Sequence, residues 1–397
     1  VTTHTISRPQ VSTAFFGFVL IGVTSGAWGV LLPGISAYYG IDKAIAGLFF
    51  FASSLGYFLS AISTGWLISK IGQRHYLMLG ATIFLLCCLL MVFKPLFFLV
   101  LLILLFQGMA TGIIETGLNM FITSLPKSIG LLNYLHAFYG AGALVGPLIA
   151  STMLALSWSW NSTFFIWTLI SLPLLLGLFK LFHDPSADPA HEEQRDKGAS
   201  SLRMVLKLPI VWLATLFLLF YVGVEVSMGN WGYTLLLENR HQSELLAGWI
   251  ASGYWLGLTL GRFLLNPIAE RLHMSMSGLM YSCLVACLLS IGIIWLIPGD
   301  IACAAAFILL GIFLGPIYPG IVGLLPSLVP GHMLPNAMGF LVGLSIIGIA
   351  LFPWLAGALA QYTSIWSLLP YTGVLLIITL IFWWTIQRKT KPINQIS

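Results

Sequence analysis

Apolar residues in this chain run on for stretches of about 20 positions, the length that carries a helix across ~30 Å of hydrocarbon at ~1.5 Å per residue. In lipid, every backbone N–H and C=O must be paired within its own segment or in a closed barrel. Barrels are written in short alternating strands, which this pattern lacks, so the runs predict helices. Twelve spans are expected at 12–33, 44–68, 76–94, 96–123, 131–155, 163–183, 207–237, 245–267, 276–297, 301–325, 335–360 and 366–386. The long polar stretch from Asp184 to Lys207 holds prolines, a glycine and mixed charges, and reads as a linker. It divides the spans six and six. The expected organisation is a bundle over 1–183, a linker over 184–206 and a second bundle over 207–397.

Composition agrees with lipid as the solvent. Of 397 residues, 59% are hydrophobic and 7% are charged, against roughly 25% charged in soluble domains. The first apolar stretch, Ser12 to Pro33, is too long for a leader's apolar core and has no small-residue cleavage pattern after it, so it is expected as a retained helix. All five cysteines, Cys87, Cys88, Cys283, Cys287 and Cys303, sit in apolar runs without metal-type spacing and are expected as small buried hydrophobes. A net charge of +5 is ordinary for a membrane protein with basic inner loops and does not point to nucleic acid.

Charge also sets the expected orientation. With both termini cytoplasmic, the inner segments hold Arg8, Lys70, Arg74, Lys127, Lys180, Arg195, Lys197, Arg203, Lys207, Arg271, Arg388, Lys389 and Lys391. The outer loops hold Lys43, Lys94 and Arg240. Thirteen against three satisfies the positive-inside rule.

The two halves echo each other at offsets of 201 to 206 residues. Gly26-Ala27-Trp28-Gly29 matches Gly229-Asn230-Trp231-Gly232. Ala46, Gly47 and Gly56 match Ala247, Gly248 and Gly257; Gly108, Gly112 and Gly117 match Gly311, Gly315 and Gly320; Pro147 matches Pro353. Six spans return the chain to the same side, so this is a parallel repeat, an arrangement that places a solute site near the midplane. The small residues allow close helix packing.

Ionisable groups inside spans cost about 2.5–3.5 kcal/mol each on the insertion scale. Two acids lie well inside, Glu115 in span four and Glu225 in span seven. Low dielectric favours a neutral acid over a carboxylate, so a carboxyl that alternates between buried and hydrated states can load and release a proton. A structural hydrogen bond is the plainer role for either. Arg262 in span eight is the basic residue deep enough to pair with them; it is placed equally for binding an anion, and it can also snorkel. His136, opening span five, is placed either for a proton relay or for packing. Trp28 and Trp231, matched across the repeat, are candidates for stacking on sugar rings, or for interfacial anchoring or helix packing. Gln107, Asn119, Asn133, Tyr139, Asn230, Tyr254 and Tyr318 offer neutral donors and acceptors, and Tyr318 stands where Glu115 stands in the other half. No phosphate loop, nucleophile triad or metal cluster occurs in the sequence, so neither an enzyme nor an ATP-driven pump is expected, and no cofactor is implied.

Two six-helix halves around a basic central loop resemble the major facilitator superfamily. Gly65-Trp66-Leu67-Ile68-Ser69-Lys70-Ile71-Gly72-Gln73-Arg74 is similar to its cytoplasmic gate motif, G-x-L-x-D-R-x-G-R-R, with Ser69 at the acidic position and Lys70 at the first arginine. The related stretch after span eight carries Glu270 and Arg271, so Lys70, Arg74, Glu270 and Arg271 are the gate candidates. Glu115-Thr116-Gly117-Leu118-Asn119 and Leu132-Asn133-Tyr134-Leu135-His136-Ala137-Phe138-Tyr139-Gly140 resemble the fucose–galactose–glucose proton symporter group. Tyr221 to Trp231 and Gly257 to Arg262 look like relatives of that group, including the fungal bypass-of-stop-codon type. The resemblance implies an all-α, twelve-helix transporter working by alternating access as a proton-coupled symporter of a sugar or polyol, with Glu115 protonatable. Its partners would be the solute, the coupling proton and the lipid bilayer, and the protein is expected as a monomer in the plasma membrane, the inner membrane of a bacterium. Span one has no acid, unlike the fucose symporters. Gly142-Ala143-Leu144-Val145-Gly146-Pro147 resembles the start of an antiporter motif, and that keeps an exporter of drugs or metabolites open beside the symporter. A non-transporting membrane sensor is the third reading.

Overall fold

The computed structural model describes residues 8–125, 128–182 and 203–390. Most of the expected linker, together with Lys127, Arg195, Lys197 and Lys391, lies outside the described residues. Within them every regular element is helical. Ten helices are long and apolar enough to cross a membrane. One of these, Lys43–Val92, contains a kink and supplies two spans, and Glu244–Arg271 adds a further leg, which gives the twelve expected.

Span one is Arg8–Tyr39 and spans two and three are the arms 48–71 and 73–92 of Leu48–Val92. Spans four to six are Phe97–Thr123, Ser128–Ala155 and Trp160–Leu181. Spans seven to nine are Pro209–Glu238, Glu244–Arg271 and Met276–Leu296. Span ten comprises Asp300–Leu314 and Ile317–Leu328, span eleven is Leu334–Tyr362 and span twelve is Leu368–Thr390.

Three local features differ from the sequence expectation, each for a physical reason. Spans one and eight run on past Pro33 and Pro267, read above as their ends, to Tyr39 and Arg271. A proline removes one hydrogen bond to the preceding turn and leaves the residues after it free to continue the helix. Spans two and three join without a loop. Gly72, at φ 79° and ψ 159°, turns the chain between them in a region that is essentially glycine-only. Span ten, expected as one helix, breaks at Gly315–Pro316. Pro316 has no N–H for Ile312, and Gly315 N–H, while keeping its ordinary bond to the Gly311 carbonyl, also reaches that of Ile312.

Backbone contacts group the described chain into two compact units. The first holds 8–182 with 232–255, and the second holds 203–231 with 256–390. The connected ends of spans seven and eight therefore belong with the first unit. There, Lys43 Nζ lies 3.0 Å from Glu238 Oε2.

The repeat is visible in how glycines are used. A Cβ on Gly56 would strike the carbonyl of Leu105 and the amide nitrogen of Met109, so spans two and four touch backbone to backbone. A Cβ on Gly257 would meet the same two atoms of Ile308 and Ile312, the positions 203 residues on, where spans eight and ten touch. Spans one and five mesh in the same fashion, Gly22 and Gly26 against Tyr139 and Ala143, and Gly142 and Gly146 against Val19 and Val23. Lipid tails are as apolar as leucine, so close packing of this kind rather than water exclusion holds such helices together.

Candidate functional site

In the first unit the glycine seam decides what Glu115 meets. Gly56 draws span two against span four, and its neighbour Tyr57 hydrogen-bonds the Glu115 side chain. Gly112, one turn before Glu115, makes room: a Cβ there would collide with Ser60 Oγ and crowd the Tyr57 ring. Glu115 and Tyr57 are both half-buried.

The next residue, Thr116, joins a cluster of three hydroxyls. Thr64 Oγ1 and Tyr76 Oη are 2.7 Å apart, and each is 3.3 Å from Thr116 Oγ1. Thr116 donates to the Gly112 carbonyl at 2.6 Å and Thr64 to the Ser60 carbonyl at 2.8 Å. Spans two, three and four are tied together beside the carboxyl, and Gln73 Nε2 adds a bond to the Gly117 carbonyl at 3.0 Å.

The other candidates of this unit are spread more widely. Gln107 is 5% exposed, and its Oε1 has no hydrogen-bond partner among the described residues. Asn119 is half-buried and its backbone carbonyl accepts from Thr123. Asn133 and His136 are exposed, the His136 ring meeting Phe18 edge-on at 5.5 Å. Tyr139 is half-buried and presents its carbonyl to Gly22. Trp28 packs on Phe49 and Phe164, and Tyr254 is buried edge-on against Trp255.

The second unit holds the other acid in a tighter frame. Tyr221, one helical turn before Glu225, reaches Glu225 Oε2 through its hydroxyl and lies 2.9 Å from the carbonyl of Leu314, the residue before the break in span ten. Arg262 Nη2 stands 3.4 Å from the other oxygen, Oε1. Asn230 is buried, and Tyr318, just after the break, is half-buried. Trp231 is 2% exposed and donates from Nε1 to the Pro353 carbonyl at 2.8 Å.

The gate candidates separate. Arg74 donates to the carbonyl of Phe179 near the end of span six and lies over the Phe179 ring at 5.7 Å. Ser69 bonds back to the Trp66 carbonyl at 2.8 Å, so the position that is acidic in the gate motif serves its own helix. Lys70, Glu270 and Arg271 are exposed. Tyr57 and the Thr64–Tyr76–Thr116 cluster went unremarked in the sequence, because pairing across helices depends on register. Tyr221 was legible in principle, four residues before Glu225 on the same helix face.

Comparison with known proteins places these features in context. The profile of the Major Facilitator Superfamily matches residues 14–237 and 220–397. Bypass of stop codon protein 6 of Saccharomyces cerevisiae is 25% identical, over 96% of this chain and 82% of its own length. A Helicobacter pylori strain 26695 protein that carries the name "Putative glucose/galactose transporter" is 28% identical, over 91% of this chain and 90% of its own. Among solved structures, the nucleoside transporter NupG superposes with a TM-score of 0.78 at 12% identity, over 96% of this chain and 99% of that one. The E. coli fucose:proton symporter FucP superposes with a TM-score of 0.64 at 19% identity, over 95% and 98%.

Proposed function

The chain belongs to the Major Facilitator Superfamily, and from that premise we propose that it is a secondary active transporter that brings in a small neutral solute, a sugar or polyol, together with a proton. The proton rides on Glu115. The two bundles, residues 1–183 and 207–397 joined by the 184–206 linker, alternate access to the solute. Both termini lie on the cytoplasmic side of the plasma membrane.

The observation that carries this reading is the setting of Glu115, a carboxyl inside a membrane span, held by the Tyr57 phenol across a seam of glycines. A phenol can donate to a carboxylate or accept from a neutral carboxyl, so the same pair serves both proton states without repacking. Gln107, whose buried carbonyl oxygen has no partner among the described residues, supplies an acceptor of the kind a hydroxylated solute satisfies. Relatives named as sugar transporters support the solute class.

The exporter reading rests on the partial motif in span five. Its two glycines, Gly142 and Gly146, are already accounted for by their fit against Val19 and Val23.

A thermal-shift screen of the purified protein at two pH values tests the solute class. A sugar or polyol is expected to raise the melting temperature, since a ligand at a hundred times its Kd stabilises by about 2.7 kcal/mol. Stabilisation by lipophilic cations, with none by sugars or polyols, would favour the exporter and defeat this reading.

A further inference from the structure

The contacts of Tyr221 contain a hydrogen count that bears on Glu225. A phenol has one hydrogen to donate, a backbone carbonyl only accepts, and an ionised carboxylate only accepts. Tyr221 Oη lies within hydrogen-bond reach of both Leu314 O, at 2.9 Å, and Glu225 Oε2. When Glu225 is ionised, the charge-assisted bond is roughly twice as strong as a neutral one. The phenol hydrogen then goes to Oε2, and Leu314 loses that donor. When Glu225 carries a proton, the carboxyl O–H donates to Tyr221 Oη and the phenol donates on to Leu314. Both contacts are then made together.

We propose that Glu225 is a second proton-binding site and that, through Tyr221, its proton controls a hydrogen bond at the break of span ten. Loading forms one O–H bond, from a solvent proton to a carboxylate oxygen, and swings the phenol hydrogen from Oε2 to the Leu314 carbonyl. The O–H bond broken is that of the solvent hydronium, which leaves as water.

Three observations locate the effect. Leu314 is the last residue before Gly315–Pro316, where the helix has already lost a hydrogen bond to proline. Gly315 is seated directly on the other helix of the site, where a Cβ would strike the backbone of Leu258, Gly261 and Arg262. Arg262 itself stands 3.4 Å from Oε1, and Oε2 is the oxygen that Tyr221 reaches. The proton, the arginine and the helix break thus share one joint of spans seven, eight and ten.

Arg262 is the charged side chain that meets Glu225 there. Spans nine and eleven contain no charged residue, and the acid of span ten, Asp300, is at the opposite end of its segment. Tyr318 is the titratable side chain nearest in sequence after the break, and Tyr371 of span twelve is bonded to the Phe352 carbonyl at 2.9 Å.

This inference is independent of the solute and of Glu115, and its test needs no transport. Hydrogen–deuterium exchange of the purified full chain, in a Glu115→Gln background, is followed on peptides covering 312–320 in acidic and alkaline buffer, corrected for intrinsic exchange. The expected result is exchange about fivefold slower in the acidic buffer, because the bond to the Leu314 carbonyl formed on loading holds the joint closed against opening by about the worth of one hydrogen bond. Both Tyr221→Phe and Glu225→Gln remove it: the first breaks the relay, and the second fixes a neutral donor in place of the carboxyl. No pH effect in the parent, or an effect that survives in Glu225→Gln, would overturn the proposal. The Glu225→Gln arm decides even if Tyr221→Phe fails to fold. Solute entry without proton uptake in the parent protein, with the exchange pattern intact, would instead count against the Glu115 reading alone.

Discussion

Replacing Glu115 with glutamine is expected to abolish accumulation of the solute against its gradient while leaving exchange of labelled for unlabelled solute running. Glutamine has nearly the same shape as glutamate and still bonds Tyr57, so the seam of spans two and four is undisturbed. What it cannot do is pick up a proton on one side and release it on the other. One proton per solute at 100 mV is worth about 2.3 kcal/mol, or about 50-fold accumulation. Proteoliposomes containing the variant are therefore expected to fall from tens-fold accumulation to equilibration, with counterflow retained. Unchanged accumulation would remove Glu115 from the coupling.

The largest stability effect is expected at the glycine seams. A leucine at Gly56 must displace the backbone of span four at Leu105 and Met109, because no flexible side chain is in its way to yield. Overpacking with side-chain relief costs about 1–3 kcal/mol, and here that relief is missing, so Gly56→Leu is expected to cost about 3 kcal/mol or more and to lose the monodisperse folded protein. Gly257→Leu is expected to do the same in the second unit, against Ile308 and Ile312. Gly292→Ala, where an added Cβ meets nothing within 4 Å, is the control and should stay within about 0.5 kcal/mol. Melting curves in detergent check all three. A Gly56→Leu variant as stable as the control would mean that the seam does not hold the unit together.

Much of this architecture can be read from the chain because lipid leaves few choices. Runs of about 20 apolar residues force helices, and the matched glycines at Gly56 and Gly257 mark where helices touch. Prolines misled at Pro33 and Pro267, because a proline kinks a membrane helix more readily than it ends one. Gly315–Pro316 hid the opposite case, a break inside an unbroken apolar run, because hydropathy does not register a missing N–H.

The site was legible only along single helices. Glu115 and Glu225 declare themselves by the cost of charge in lipid. Tyr57 does not, since nothing in thirteen tyrosines says which one a neighbouring helix will deliver to a carboxyl. Trp28 and Trp231 match in the repeat yet sit in different surroundings, the first against Phe49 and Phe164 and the second bonded to Pro353. Sequence symmetry preserved the backbone position but not the partner.

The most direct test of proton coupling is to seal a pH-sensitive dye inside proteoliposomes, impose no ion gradient, and add outside the sugar or polyol that stabilises the protein. Entry of the solute is predicted to acidify the lumen, with no acidification in Glu115→Gln. Solute entry at full rate into a lumen whose pH does not move would contradict the account.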